Sequence, residues 1–160
     1  MHKNLYLSFL LLISTTVFSQ DFIPRRNALF IEAGGNGLFT SVNYERPLTS
    51  ANKGFAFRIG VGMYAENGLY LTIPFTVHYM FPLNNRGSYL DAGTGITGSV
   101  MNTNDIFKGD EDSFTSFTGV LGWRKYSRNG NRFFRAAFTP VINKYGFVPW
   151  LGIGIGFTNL

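Results

Sequence analysis

Along each extended run of this chain the charged side chains fall on one alternation and the bulky apolar ones on the other. Successive side chains of a strand point to opposite faces, so each run has a hydrocarbon face and a polar one. The run LYLTIPFTVHYMF at 69–81 puts Leu69, Leu71, Ile73, Phe75, Val77, Tyr79 and Phe81 on one parity, against Tyr70, Thr72, Pro74, Thr76, His78 and Met80 on the other. Leu29, Ile31 and Ala33 oppose Glu32, and Phe57, Ile59 and Val61 oppose Arg58. In the closing run Leu151, Ile153, Ile155 and Phe157 alternate with glycine. The charged residues of the runs are Glu32, Glu45, Arg58, Asp91, Arg124 and Arg135, three acids and three bases. Their parity mates are small or polar, among them Ser41, Asn43, Gly60, Gly93, Gly122 and Ala137.

Eight such runs are legible, at 28–35, 38–46, 55–64, 69–81, 88–101, 114–126, 132–142 and 147–157. The connections, such as NG at Asn36 and Gly37, AENG, SRNGN and NKYG, are short and rich in Asn and Gly, which demands antiparallel neighbours. With 17 Phe, 8 Tyr and 19 Gly, composition favours strands and turns, and no run has a helical period. Pro74, Pro140 and Pro149 each remove a ladder donor, so a strand end or bulge is expected near each. The chain has no cysteine, which excludes disulfides and thiolate metal sites. At 160 residues it fits one domain. Residues 1–19, with Lys3, an apolar stretch from Leu5 to Ile13 and small residues at Val17 and Ser19, have the layout of a secretory signal peptide. The barrel domain is then expected over 20–160.

Eight antiparallel strands form either a two-sheet sandwich or a closed up-and-down barrel. A soluble barrel would have to enclose the bulky apolar set, yet an eight-stranded interior is only wide enough to be filled by ordinary side chains. The inverse arrangement resolves this, with small and charged residues in a narrow lumen and the apolar sleeve facing lipid. Thirteen residues tilted by roughly 40° rise about 30 Å, enough to span an apolar band about 25 Å tall. The expected fold is therefore all-β, a closed antiparallel transmembrane β-barrel of eight strands. Leu69, Leu71, Ile73, Phe75, Val77, Leu151, Ile153, Ile155 and Phe157 are expected to face lipid. Glu32, Glu45, Arg58, His78, Asp91, Arg124 and Arg135 are expected to form a polar network in the lumen.

Charge at the strand ends is asymmetric. The end holding the mature N-terminus carries Arg25, Arg26, Arg46, Lys53, Arg86, Lys125, Arg128 and Arg132 against Asp21, and the other carries Lys108 and Lys144 against Glu66, Asp105, Asp110, Glu111 and Asp112. The first is expected on the periplasmic side. Tyr44, Tyr64, Tyr79, Tyr89, Trp123, Tyr126 and Tyr145 fall near strand ends, as interfacial girdles require.

The stretches EAGGNGLFTSVNYERPL, FRIGVG, YLTIPFTVHYMF, YLDAGTGIT, GWRKYS, FFRAAFTPV and PWLGIGIGF resemble small outer-membrane β-barrel proteins of Gram-negative bacteria. The similarity is to barrels of OmpA or OmpX size, and particularly to a group of short, mostly uncharacterised ones. It implies an outer-membrane location, surrounding outer-membrane lipid and handling by the barrel-assembly machinery, which recognises an aromatic residue closing the last strand. Here the alternation stops at Phe157 and TNL follows.

Candidate chemistry is sparse. His78 is the only histidine besides His2, with Asp91 as its expected neighbour, but no serine stands ready to complete a nucleophilic set. The acidic connection at 102–113 lacks EF-hand spacing. The basic residues are spread over turns with no stacking platform between them, which argues against nucleic acid. No catalytic set, cofactor motif or metal-ligand spacing is expected, and the function expected is a structural or surface-interaction role with a plugged lumen. The rivals are a barrel-type lipid-modifying enzyme and a soluble lipid-binding β-barrel.

Overall fold

The computed structural model describes residues 27–49, 53–65, 69–100 and 114–158. The leader at 1–19 and the domain start at 20, Asp21, Arg25, Arg26, Glu66 and the acidic connection 102–113 lie outside the described residues.

Strands form where the alternation predicts them. β1 (Ala28–Gly34), β2 (Thr40–Pro47), β3 (Gly54–Ala65), β4 (Leu69–Asn84), β5 (Ser88–Val100) and β6 (Phe114–Tyr126) each pair antiparallel with the next. β7 (Arg132–Phe138), β8 (Val141–Asn143), β9 (Gly146–Val148) and β10 (Leu151–Thr158) complete the wall. β7 and β8 pair with β6 in one register, and β10 pairs with both β7 and β1, which closes the ring. β8 continues β7 and β9 leads into β10, so the barrel has eight staves.

The two staves expected as unbroken runs at 132–142 and 147–157 are each split at a proline. Pro140 and Pro149 have no N–H to give the ladder. The bonds from Gly119 N to Pro140 O (2.9 Å) and from Thr139 N to Trp150 O (2.7 Å) hold the pieces in line. Pro74 acts on one side only: it pairs with Thr97 of β5, while the β3 ladder omits the two pairs between Ile59–Phe75 and Gly62–Thr72.

Register sets the shape. Stepping across pairs from Ala28 leads to Glu45, Arg58, Thr76, Gly95, Thr118, Val141 and Val148. Extending the β1–β10 register then returns to β1 at residue 38, ten residues beyond the start. A stagger of this size on eight strands tilts them by about 40°. The lumen is correspondingly narrow.

Burial is inverted relative to a soluble protein. Arg58, Arg124, Arg135, Asp91 and Glu32 are each 0% exposed, whereas Leu151 is 70% and Ile155 64% exposed. Leu69, Ile73, Phe75, Val77, Ile153 and Phe157 are exposed too, and Leu71 is half-buried. At the mouth where β1 begins, the entry mouth, Ala28, Phe30, Met80, Tyr89, Tyr126 and Phe133 form a buried apolar cluster. Tyr89 and Tyr126 therefore do not belong to an outer girdle: each two residues from inward Asp91 or Arg124, they point inside, where their rings meet edge to face at 5.5 Å.

The β1–β2 connection departs from the simple NG hairpin. Gly35–Gly37 form a single 3₁₀ turn that folds into the far end of the lumen, with Gly35, Asn36, Gly37 and Leu38 buried. Gly35 sits at φ 71°, and a Cβ there would come within 2.3 Å of the Glu32 carboxyl group, so only glycine fits.

Close packing of the staves depends on Gly93, where an added Cβ would lie 2.3 Å from Val77 O and 2.5 Å from His78 Cα. At Gly98, facing outward on the same strand, nothing lies within 4 Å. Gly93→Ala is expected to destabilise the folded barrel by about 1–3 kcal/mol, and Gly98→Ala to leave it nearly unchanged. Urea unfolding of the two variants in lipid vesicles checks this.

Candidate functional site

All seven polar residues assigned to the lumen by alternation lie there, each at most 1% exposed. Six of them form one chain of alternating sign. Arg58 and Glu45 face each other across the β2–β3 ladder, and the guanidinium donates to Glu45 Oε2 from Nη2 (2.9 Å) and Nε (3.3 Å). Arg124 reaches the same carboxylate from the opposite wall, donating from Nη1 to Oε1 (2.5 Å) and from Nη2 to Oε2 (2.7 Å). This two-pronged geometry is the strong form of the pair. Arg124 Nη2 also donates to Asp91 Oδ2 at 3.2 Å, which accepts from Arg135 Nε at 3.1 Å. Arg135 Nη1 donates in turn to Glu32.

The order is thus Arg58, Glu45, Arg124, Asp91, Arg135, Glu32, drawn from β3, β2, β6, β5, β7 and β1. Arg124 and Arg135 are direct cross-strand neighbours, an arrangement that is repulsive by itself. The Asp91 carboxylate between them makes it attractive. Aromatic faces finish the lining: the Arg58 guanidinium lies 4.9 Å from the Phe30 ring centre and that of Arg124 4.5 Å from Phe133.

His78 is enclosed in the same layer, but the carboxylate it meets is Glu45, at 3.4 Å from Nε2, not Asp91. The reason is register: His78 pairs with Gly93, while Asp91 is opposite Met80. Neither ring nitrogen has a hydrogen-bond partner among the described residues.

Beyond this layer the inward turn is held by hydroxyl groups. Thr97 Oγ1 donates to Asn36 O (2.7 Å), Asn36 Nδ2 to Thr118 Oγ1 (2.6 Å) and Thr72 Oγ1 to Gly37 O (2.9 Å). The signal for this contact was present in the chain as three threonines of lumen parity on β4, β5 and β6. Past the turn, at the far mouth, opens a cavity of about 460 Å³ walled by Tyr64, Tyr70, Phe114, Tyr145 and Trp150 over Leu38 and Val141. Trp150, inward by parity, donates from Nε1 to Leu38 O at 3.2 Å.

The barrel is similar to the N-terminal β-barrel domain of Pseudomonas aeruginosa OprF. That crystal structure superposes with a TM-score of 0.57 at 16% sequence identity, covering 82% of this chain and 94% of the OprF domain. The likeness is one of fold. No protein-family model and no curated protein matches the chain.

Arg124 stands mid-chain and donates to both Glu45 oxygens and to Asp91, joining one carboxylate to the other. Arg124→Ala is expected to destabilise the barrel by about 3–5 kcal/mol, as for breaking a buried ion pair. Arg124→Lys recovers part of this at most, because an ammonium cannot bridge two carboxylates in a fork. Chemical unfolding of both variants in vesicles gives the comparison.

Proposed function

We propose that the chain is an integral outer-membrane β-barrel protein of a Gram-negative bacterium, with a lumen closed to solutes and a structural or surface-interaction role without catalysis. The observation that carries this reading is the inversion of burial: hydrocarbon side chains cover the outside of a closed ring whose interior holds six ions. Only a hydrocarbon solvent makes that outer surface favourable, and a closed barrel leaves no edge to desolvate.

The rims give the orientation. Among the described residues, the ionic side chains outside the lumen at the entry mouth are Arg46, Lys53, Arg86, Lys125, Arg128 and Arg132, all basic. This end lies in the periplasm beside phosphate headgroups, and the aromatic bowl faces outward. The likeness in fold to an OprF domain supports an outer-membrane barrel. The partners are the lipid around the sleeve and the barrel-assembly machinery, which engages β10 where it ends in Phe157 and Thr158.

Closure of the lumen rests on three stacked layers, the entry-mouth cluster, the ion chain and the inward turn. An eight-stranded barrel has no spare width for a water column beside them. A soluble lipid carrier would need an apolar cavity at mid-height, where this barrel keeps its charges.

Three measurements on the native protein test the reading. The protein should sediment with outer membranes and run faster on SDS gels unboiled than boiled, and it should give no stepwise conductance in planar bilayers. Recovery in the detergent-free periplasmic fraction would overturn the membrane assignment, and steady unitary conductance would overturn the closed lumen.

A further inference from the structure

Every ion pair among the described residues lies inside the lumen. The bases of the entry rim, Arg46, Lys53, Arg86, Lys125, Arg128 and Arg132, meet no carboxylate among those residues. A fold that answers each buried charge thus leaves one sign of charge unanswered around one mouth, and the field there draws anions.

Parity sorts these bases by direction. Lys53, Arg86 and Arg128 stand in turns or beside them, whereas Arg46, Lys125 and Arg132 share the outward alternation of Tyr44, Trp123 and Phe134. Two of these three are neighbours. Lys125 of β6 lies opposite Phe134 of β7, and Arg132 stands two residues before Phe134 on the same face. Diagonal positions of this kind are roughly 7–8 Å apart, so two long side chains there can meet on one phosphate. The Arg132 guanidinium rests 5.7 Å from the ring centre of Phe157, its partner across the β7–β10 ladder, and has no hydrogen-bond acceptor among the described residues. Lys125 Nζ donates to Arg86 O at 2.7 Å and to Ser88 Oγ at 3.2 Å, which positions the ammonium and leaves one of its three protons to give.

Toward mid-height the wall beside this pair turns apolar at once. Trp123 and Phe134 meet edge to face at 6.2 Å, and Ile155 stands opposite Phe134, all three exposed on the outer surface. A soluble anion would use only the two bases. A molecule with an anionic head and hydrocarbon tails covers the bases and the ring surface together.

We propose that the outer face of β6, β7 and β10 at the entry mouth is a docking site for an acidic phospholipid, its phosphate between Lys125 and Arg132 and its acyl chains along Trp123, Phe134 and Ile155. The site rests on the membrane reading above and adds to it a preference among lipids.

The test uses the full chain folded in vesicles of phosphatidylcholine and phosphatidylglycerol in equal parts, in a Trp150→Phe background so that fluorescence reports Trp123 alone. Brominated acyl chains, which quench tryptophan on contact, are carried by one lipid or by the other. Quenching is expected to show an about fivefold preference for phosphatidylglycerol beside Trp123, the factor one basic side chain gives at an anionic lipid surface. Lys125→Gln with Arg132→Gln is expected to equalise the two lipids. Arg46→Gln with Lys53→Gln, across the ring on β2 and before β3, is expected to leave the preference unchanged. Heat-shift gels establish that each variant is folded. Should the first pair not fold, Arg132→Gln alone, at an exposed position, takes its place; should Trp150→Phe not fold, the parent chain serves, since inward Trp150 adds the same background to both lipids. Equal quenching, stronger quenching by brominated phosphatidylcholine, or a preference that survives loss of the two bases overturns the proposal. Absence of quenching by either lipid overturns the membrane reading itself, and the site with it.

Discussion

Six charges enclosed in the narrow interior of an eight-stranded barrel set the terms for the rest of this fold. Taken out of water singly, each would cost more than the fold could supply, so each must meet an opposite charge inside. The solution is a chain of strict alternation from Arg58 to Glu32 that joins six of the eight staves. Long guanidinium arms need room, and this accounts for small residues on the same parity. At Gly122, facing Ala137 across the ladder, an added Cβ would already touch Ala137 Cβ at 3.0 Å and approach Arg135 Nη2 to 3.5 Å. Charge inside and glycine inside are one requirement.

The same chain reaches the far mouth through Glu32. Gly35 rests against that carboxyl group, so the inward turn is seated on the end of the ion chain. Leu38, which follows, is held at φ 73°, a backbone state costly for a residue with a Cβ. Its burial and the Trp150 bond to its carbonyl oxygen keep it there. Leu38 is in turn part of the bowl lining. Ion chain, turn and bowl are therefore stacked so that each is the support of the next.

Much of this was legible without coordinates, and what was not has physical reasons. Alternation alone assigned the seven lumen residues and the sleeve, because a period of two has only two faces to choose between. The breaks at Pro140 and Pro149 follow from a missing donor. Partner choice is different, since it depends on ring closure and stagger. Glu45 and Arg58 meet across a single hairpin, but Arg124 reaches Glu45 from the other wall, and His78 meets Glu45 because tilt carries Asp91 out of line with it. Phe30, Met80 and Phe133 shared parity with the charges, a signal that the entry mouth is filled by apolar side chains. The inward turn was hidden because Asn and Gly together suit an ordinary hairpin, and the threonines that hold it are common strand residues.

The two surfaces of the wall also differ in how tightly they constrain a chain. On the outer face, which we propose meets lipid, any residue of sufficient hydropathy serves, and Leu, Ile, Val and Phe exchange on the sleeve at little cost. Inside, three acids must stand at the heights where three guanidinium groups arrive, and replacing an inner member takes a partner from two others. A barrel 16% identical can therefore share this wall and its fold while little of its sequence coincides. What distinguishes one such barrel from another is then carried by the lumen chain and by the mouths, where identity, position and geometry are fixed together.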